Sequence, residues 1–157
     1  MKRKCCFFMG HRDAPAEIAP LIKETVEEHI IHLGVTEFLV GDHGSFDRMA
    51  ARAVMEVKEM HGGVSLEMLL PYHPGEKKVI LPKGFDGSMY PEGQERVPRR
   101  LAIVRANRYA LEHSSYLITY AWQPGSNARK LLEYADKLAE KGTLAVVNLA
   151  EGDGNSR

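Results

Sequence analysis

The chain is poor in cysteine and has no surplus of charge. Its two cysteines, Cys5 and Cys6, are adjacent. Neighbours on a strand point to opposite faces, so they make a poor disulfide and a poor pair of metal ligands. They read as small apolar packing residues rather than a redox pair. Lys and Arg number 21, Asp and Glu 21, and the formal net charge is zero. No global field therefore draws the chain to nucleic acid or to an anionic membrane. No apolar run approaches the roughly 18 residues that span a bilayer. The start, Met1-Lys2-Arg3-Lys4, is basic, but the apolar run behind it is too short for a signal peptide and lacks a small-residue cleavage site. These absences predict a cytoplasmic protein with no membrane partner. The seven histidines form no recognised metal pattern. His29 and His32 sit three apart on a helix but lack carboxylates in a known motif, so no metal is expected.

What is present is an alternation of short apolar runs and longer periodic stretches. A length of 157 residues fits one domain, placed at 1–150, with a frayed tail at 151–157. Strands are predicted at 4–9, 36–41, 64–70, 115–120 and 143–149. Helices are predicted at 15–33, from Ser45 to about Met60, at 97–113, and from the turn 121–127 to about Lys141. Repeated strand–helix alternation implies a parallel sheet with helices on both faces. Residues 71–96 break the pattern with Pro71, Pro74, Pro82, Pro91, Gly84, Gly87 and Gly93. A loop this long is expected to cover a ligand crevice. Its Tyr72, His73, Phe85 and Tyr90 either contact a ligand or plug the loop onto the domain.

Two apolar runs end in glycine and a polar cluster: Cys5–Met9 before Gly10-His11-Arg12, and Phe38–Val40 before Gly41-Asp42-His43-Gly44-Ser45-Phe46-Asp47. In open parallel sheets the ligand crevice lies beyond the carboxyl ends of the strands. Turns there offer backbone N–H groups and the positive end of a helix. The turns after Met9, Val40 and Tyr120 should therefore converge. Gly10, Arg12, Gly41, Gly44, Ser45, Gly125 and Ser126 are predicted to line one pocket for a phosphorylated or nucleotide-like ligand.

Several residues have two readings. Arg12 grips a phosphate bidentately or pairs on the surface with Asp13 or Glu17. His11 binds ligand, acts as an acid or base, or orients its turn. Gly41 and Gly44 allow close approach or simply a tight turn. Ser45 caps its helix or faces a phosphate. Asp47 is explained by the helix macrodipole alone. Arg105 and Arg108 form a phosphate clamp or a solvated basic face. Glu133 is a general base, a ribose ligand, or an exposed partner of Arg129 or Lys137.

The ordered series Gly10-His11-Arg12, Val40-Gly41-Asp42-His43-Gly44-Ser45-Phe46-Asp47, Arg105-Ala106-Asn107-Arg108-Tyr109 and Pro124-Gly125-Ser126-Asn127 with Glu133-Tyr134-Ala135 resembles the SLOG superfamily. That group includes the LOG-type phosphoribohydrolases and DprA, and the likeness is to its small YpsA-like bacterial branch. The resemblance covers nearly the whole chain. It implies an α/β fold, a Rossmann-like three-layer sandwich with a mostly parallel five-stranded sheet. It adds Asp47 as a ribose-hydroxyl ligand and Arg105, Asn107 and Asn127 to the ligand set. The Arg-Asn segment is expected to start the helix before the fourth strand.

The last turn departs from the LOG pattern. It keeps one glycine, Gly125, and Ser114-Ser115 stand where the family places an acid. The resemblance therefore implies binding or sensing of a nucleotide or nucleotide-derived ligand, with no cofactor required. N-glycosidic hydrolysis of a nucleoside monophosphate, with Glu133 and Arg108 as catalytic pair, is the alternative. Single-stranded DNA binding is the second alternative, disfavoured by the balanced charge. A homodimer is expected, with 50–60 as a candidate interface.

Overall fold

The computed structural model describes residues 4–151. The expected 151–157 tail lies outside them beyond Glu151, which closes a 3-10 turn with Leu149. Six parallel strands form one sheet in the order β4-β3-β2-β1-β5-β6. They are β1 Cys5–Gly10, β2 Glu37–Val40, β3 Ser65–Leu69, β4 Gly87–Met89, β5 Tyr116–Tyr120 and β6 Ala145–Asn148. Among the described residues four α-helices accompany them, α1 Ala19–Ile31, α2 Ser45–Lys58, α3 Ala102–Glu112 and α4 Asn127–Glu140, with short 3-10 turns between elements.

The unbroken apolar run of β1 is the mark of a central strand covered on both faces. Successive side chains point to opposite sides. Phe8 therefore joins Phe38, Phe46, Ile22 and Val54 under α1 and α2. Phe7 joins Leu39, Leu117, Ala106 and Leu132 under α3 and α4. The register confirms β1 as the middle of the sheet, with Phe7 beside Leu39 on one side and Leu117 on the other. The result is the Rossmann-like three-layer α/β sandwich expected from the sequence.

The sheet has one strand more than the five expected. β4 lies inside the stretch taken as irregular, and pairs Glu67 with Gly87 and Leu69 with Met89. Gly-Ser-Met has no apolar run, so nothing in its pattern signals a strand. A polar anchor places it instead. The Asp86 carboxylate accepts the Leu66 N–H at 2.7 Å and the Lys58 ammonium at 2.5 Å. Gln94 is buried and donates to the carbonyls of Pro71 and Ala102, which fastens the far end of the same stretch. Phe85 packs against the α1–α2 core, and His73 meets Tyr90 edge to face.

Two helix starts also move. Residues 16–18 form a 3-10 turn before α1. Residues 99–101 form another after Pro98, so α3 begins at Ala102. Arg105, Asn107 and Arg108 thus lie within α3 rather than at its start.

Candidate functional site

All six strands run the same way, so their carboxyl ends share one edge. The chain steps outward from β1 to β4, then crosses back to β5 on the other side of β1. The turns after β1 and β5 diverge at this switch point, where open sheets hold their ligands. A crevice of about 400 Å³ opens there.

Its floor depends on close backbone approaches. A Cβ on Gly10 would sit 2.7 Å from the Phe46 ring. A Cβ on Gly44 would sit 2.5 Å from the Arg12 Cα, and Gly44 has φ +156°. The absent side chains let the start of α2 press directly on the β1 turn. The Ser45 N–H then donates to the Arg12 carbonyl at 2.8 Å, and the Ser45 hydroxyl to the Ala14 carbonyl at 2.6 Å. Ser45 is thus the first residue of α2 rather than its cap, and its hydroxyl proton is engaged within the fold. Gly44 holds the cap position. Gly41, Gly44 and Ser45 are not among the residues that line the crevice.

His11 is 6% exposed, and its Nε2 accepts the backbone N–H groups of Trp122 at 2.9 Å and Gln123 at 3.2 Å. That assigns the proton to Nδ1 and makes the ring neutral. Burial lowers its pKa from the ordinary histidine value. Of its readings, the structure shows the orienting one: His11 ties the β1 turn to the β5 turn. Asn148, which the sequence did not mark, holds the same turn. It accepts from Ala121 N–H and donates to the Ala121 carbonyl.

Polar and backbone groups that line the crevice are Gly10 at the end of β1, His11, Arg12 and Asp13 after it, and His43 and Asp47 from the β2–α2 segment. Ile103 and Asn107 of α3 join them, with Gln123, Ser126 and Asn127 after β5. Arg12 is exposed and makes no ion pair among the described residues, so its pairing with Asp13 or Glu17 is not formed. Asp47 is 7% exposed, and its Oδ2 accepts the His43 N–H at 3.0 Å. Burial pushes this carboxyl up to about 7. Ser126 caps α4 through the Arg129 N–H, which places the positive end of that helix against the crevice.

Arg105, Arg108, Gly125 and Glu133 lie elsewhere. Arg105 and Arg108 border a shallow hollow between α3 and α4, where Arg108 sits 5.0 Å over the Tyr134 ring. Glu133 and Gly125 border another hollow with Trp122 and Arg129. Glu133 and Arg108 are thus not brought together. Helical phase explains the split. Ile103 and Asn107, four apart, face the crevice, and Arg105 and Arg108, three apart, face away.

A second lobe of about 430 Å³ adjoins the first at the end of β3. It shares Arg12, His43 and Ile103 with the first, and adds Asp42, Tyr72, Lys77, Lys78 and Ile80. Lys77 and Lys78 gave no signal in sequence, because a pair of lysines in a loop normally faces solvent. Among the described residues no three His, Cys, Asp or Glu side chains gather as a metal site. No helix of the described residues is long and apolar enough to cross a membrane.

No protein-family model and no curated protein matches the sequence. Solved structures do. DNA processing protein A (DprA) from Streptococcus pneumoniae aligns at TM-score 0.62 with 13% identity, covering 95% of this chain. The chain spans 60% of that DprA chain. The Moco carrier protein from Chlamydomonas reinhardtii aligns in two structures, at TM-scores 0.55 and 0.50 with 16% and 18% identity. Both alignments cover 96% of this chain and 93% of the other. At such identities the likeness is one of fold: this chain has the Rossmann-like α/β fold of those structures.

Proposed function

We propose that the crevice at the β1–β5 switch point binds a nucleotide or nucleotide-derived ligand, which the protein holds or senses. One observation carries this reading. An unpaired arginine, Arg12, stands in a crevice that also exposes the largely buried Asp47 and Asn107. A guanidinium grips a phosphate bidentately. A carboxyl and an amide deeper in the same space suit the hydroxyls and base edge of a nucleoside. Met9, Ile103 and Leu131 give an apolar wall for its ring. The test is a thermal-shift screen with the four nucleoside monophosphates and the free nucleosides. The monophosphates should raise the Tm, because a ligand of the native state stabilises it. Nucleosides matching monophosphates would count against a phosphate site.

Hydrolysis of an N-glycosidic bond is the second reading, and one observation favours it. The buried Asp47 carboxyl, held near neutrality in its proton affinity, suits a general acid. It stands in the crevice, as Glu133 does not. Release of free base from a monophosphate, lost in Asp47→Asn, would support turnover. A homodimer would need a face other than the apolar side of α2. Ala50, Ala53, Val54 and Val57 are buried within the fold.

A further inference from the structure

The crevice is twofold, and its two lobes differ in charge. The first has two carboxyl groups, Asp13 and Asp47, and Arg12 as its one lysine or arginine. The second has Arg12, Lys77 and Lys78 against Asp42 alone. The second lobe therefore carries the larger surplus of positive charge and draws additional phosphate more strongly than the first. The loop around these lysines does contain paired cations. Arg99 pairs with Glu76, and Lys58 reaches across to Asp86. Arg12, Lys77 and Lys78 make no ion pair among the described residues. The positive field at the junction is also felt by His43, whose pKa is lowered by burial first and then by Arg12, with Lys77 adding to it.

The second lobe is a built pocket. The Leu70 N–H donates to the Met89 carbonyl, and Gln94 donates to the Pro71 carbonyl, so the Leu70–Pro71 side of the lobe is anchored to the sheet. That side is apolar, formed by Leu70 and Pro71. Ile80 is 83% exposed, an apolar side chain left open at the lip. A phosphate tail alone has no use for such a wall, whereas a flat ring does. Each lobe by itself falls in the range of a small-molecule site, roughly 300–1,000 Å³. A mononucleotide in one lobe leaves the other unfilled.

We infer that the ligand is a dinucleotide-type molecule, with one nucleoside unit in each lobe and the joining phosphate at Arg12, between the two. This rests on the nucleotide reading above and specifies its substrate class. Arg12 lines both lobes, so it meets the linker whichever way the ligand runs. Lys77 and Lys78 line the second lobe together with Arg12 and add to the positive charge that the linker meets there. A phosphodiester and a diphosphate linker share this chemistry.

Calorimetric titration of the full chain tests it with AMP, ATP, the phosphodiester-linked pApA, the diphosphate-linked diadenosine, and an eight-residue deoxyadenosine strand. At least one dinucleotide should bind about tenfold or more tighter than both AMP and ATP. In Lys77→Ala/Lys78→Ala the ratio of dinucleotide to AMP affinity should fall towards one, with the Tm within about 2 °C of the parent. ATP equal to the dinucleotides would show that charge alone is read and would overturn the inference. So would an advantage that survives the double substitution. Affinity that climbs again from pApA to the eight-residue strand would replace a dinucleotide site with a single-strand track. AMP binding without any dinucleotide gain removes this inference and leaves the nucleotide reading. Failure of every nucleotide to bind removes both.

Discussion

The imidazole of His11 accepts the backbone N–H of Trp122 at 2.9 Å across 111 positions of sequence. With the bond from Gln123, it fastens the two turns that frame the crevice. Breaking this link leaves two backbone donors without their acceptor, a loss of about 1–3 kcal/mol where the site stays closed to water. His11→Ala should lower the urea midpoint by that measure. Trp122 is the sole tryptophan, so its fluorescence should shift as the turn loosens. An unchanged midpoint and spectrum would mean that solvent replaces the acceptor freely.

The same link should respond to acid. The folded-state pKa of His11 lies below the ordinary value of 6.5, and burial lowers those of His29 and His43 in the same sense. The unfolded chain therefore binds more protons through this window. Stability is full above about 6.5 and falls as pH drops through the folded values. Asp47, raised to about 7, works in the opposite sense over the same window, so the test is made in Asp47→Asn: there a Tm measured from pH 8 to pH 5 should decline, and less steeply when His29→Gln is added. The Nε2 of His29 is buried without a partner, so a proton there has no acceptor. Equal slopes for the two proteins would exonerate His29.

Two glycines with positive φ should respond differently to alanine. At Gly44 the new Cβ meets the backbone of Arg12. At Gly125, φ is +78° and the space around the Cβ is open. Gly125→Ala should cost only the left-handed backbone penalty, about 1–2 kcal/mol. Gly44→Ala should cost about 3 kcal/mol or more, because main chain must move. It should also weaken nucleotide binding, since Arg12 moves with it. Chemical denaturation of both variants gives the comparison, and equal losses would show that the contact relaxes cheaply.

The sheet and the edge that holds the crevice were legible because a strand buried on both faces writes itself as an apolar run. Phe7 and Phe8 both had to be apolar, whichever helix pair each met. Strand β4 was not legible, since Asp86 and its hydrogen bonds place it rather than any pattern. The turn residues were legible as a group, but their division of labour was not. Ser45 could be placed near the crevice from sequence, yet only the closeness of Arg12 and Gly44 shows that its N–H and hydroxyl are already engaged. Helical phase would have separated Asn107 from Arg105 and Arg108, had Ile103 been recognised as facing the crevice. Lys77 and Lys78 became visible only once Gln94 and Asp86 had fixed their loop.

Asp47 carries the most diagnostic prediction. Its folded-state pKa is about 7, against an ordinary 3.8, because burial disfavours the charged form. A raised carboxyl means that the folded protein binds the extra proton between these values. Its contribution to stability is thus fully present below about 3.8 and is lost as pH rises through about 7. A shift of some three units corresponds to a ceiling of about 4 kcal/mol. Asp47→Asn is close in shape, keeps an oxygen for the His43 N–H, and never ionises. The variant should be more stable than the parent at pH 8, by about 1–4 kcal/mol, and nearly equal to it at pH 4.5. Urea melts at both pH values check this. A carboxylate that destabilises its own fold at neutral pH is characteristic of a site kept for function. The same variant should therefore bind a nucleotide ligand about tenfold more weakly. Stabilisation without loss of binding would leave Asp47 as a buried acid with no part in recognition. Equal stability at both pH values would mean that water reaches the carboxyl and leaves its proton affinity ordinary.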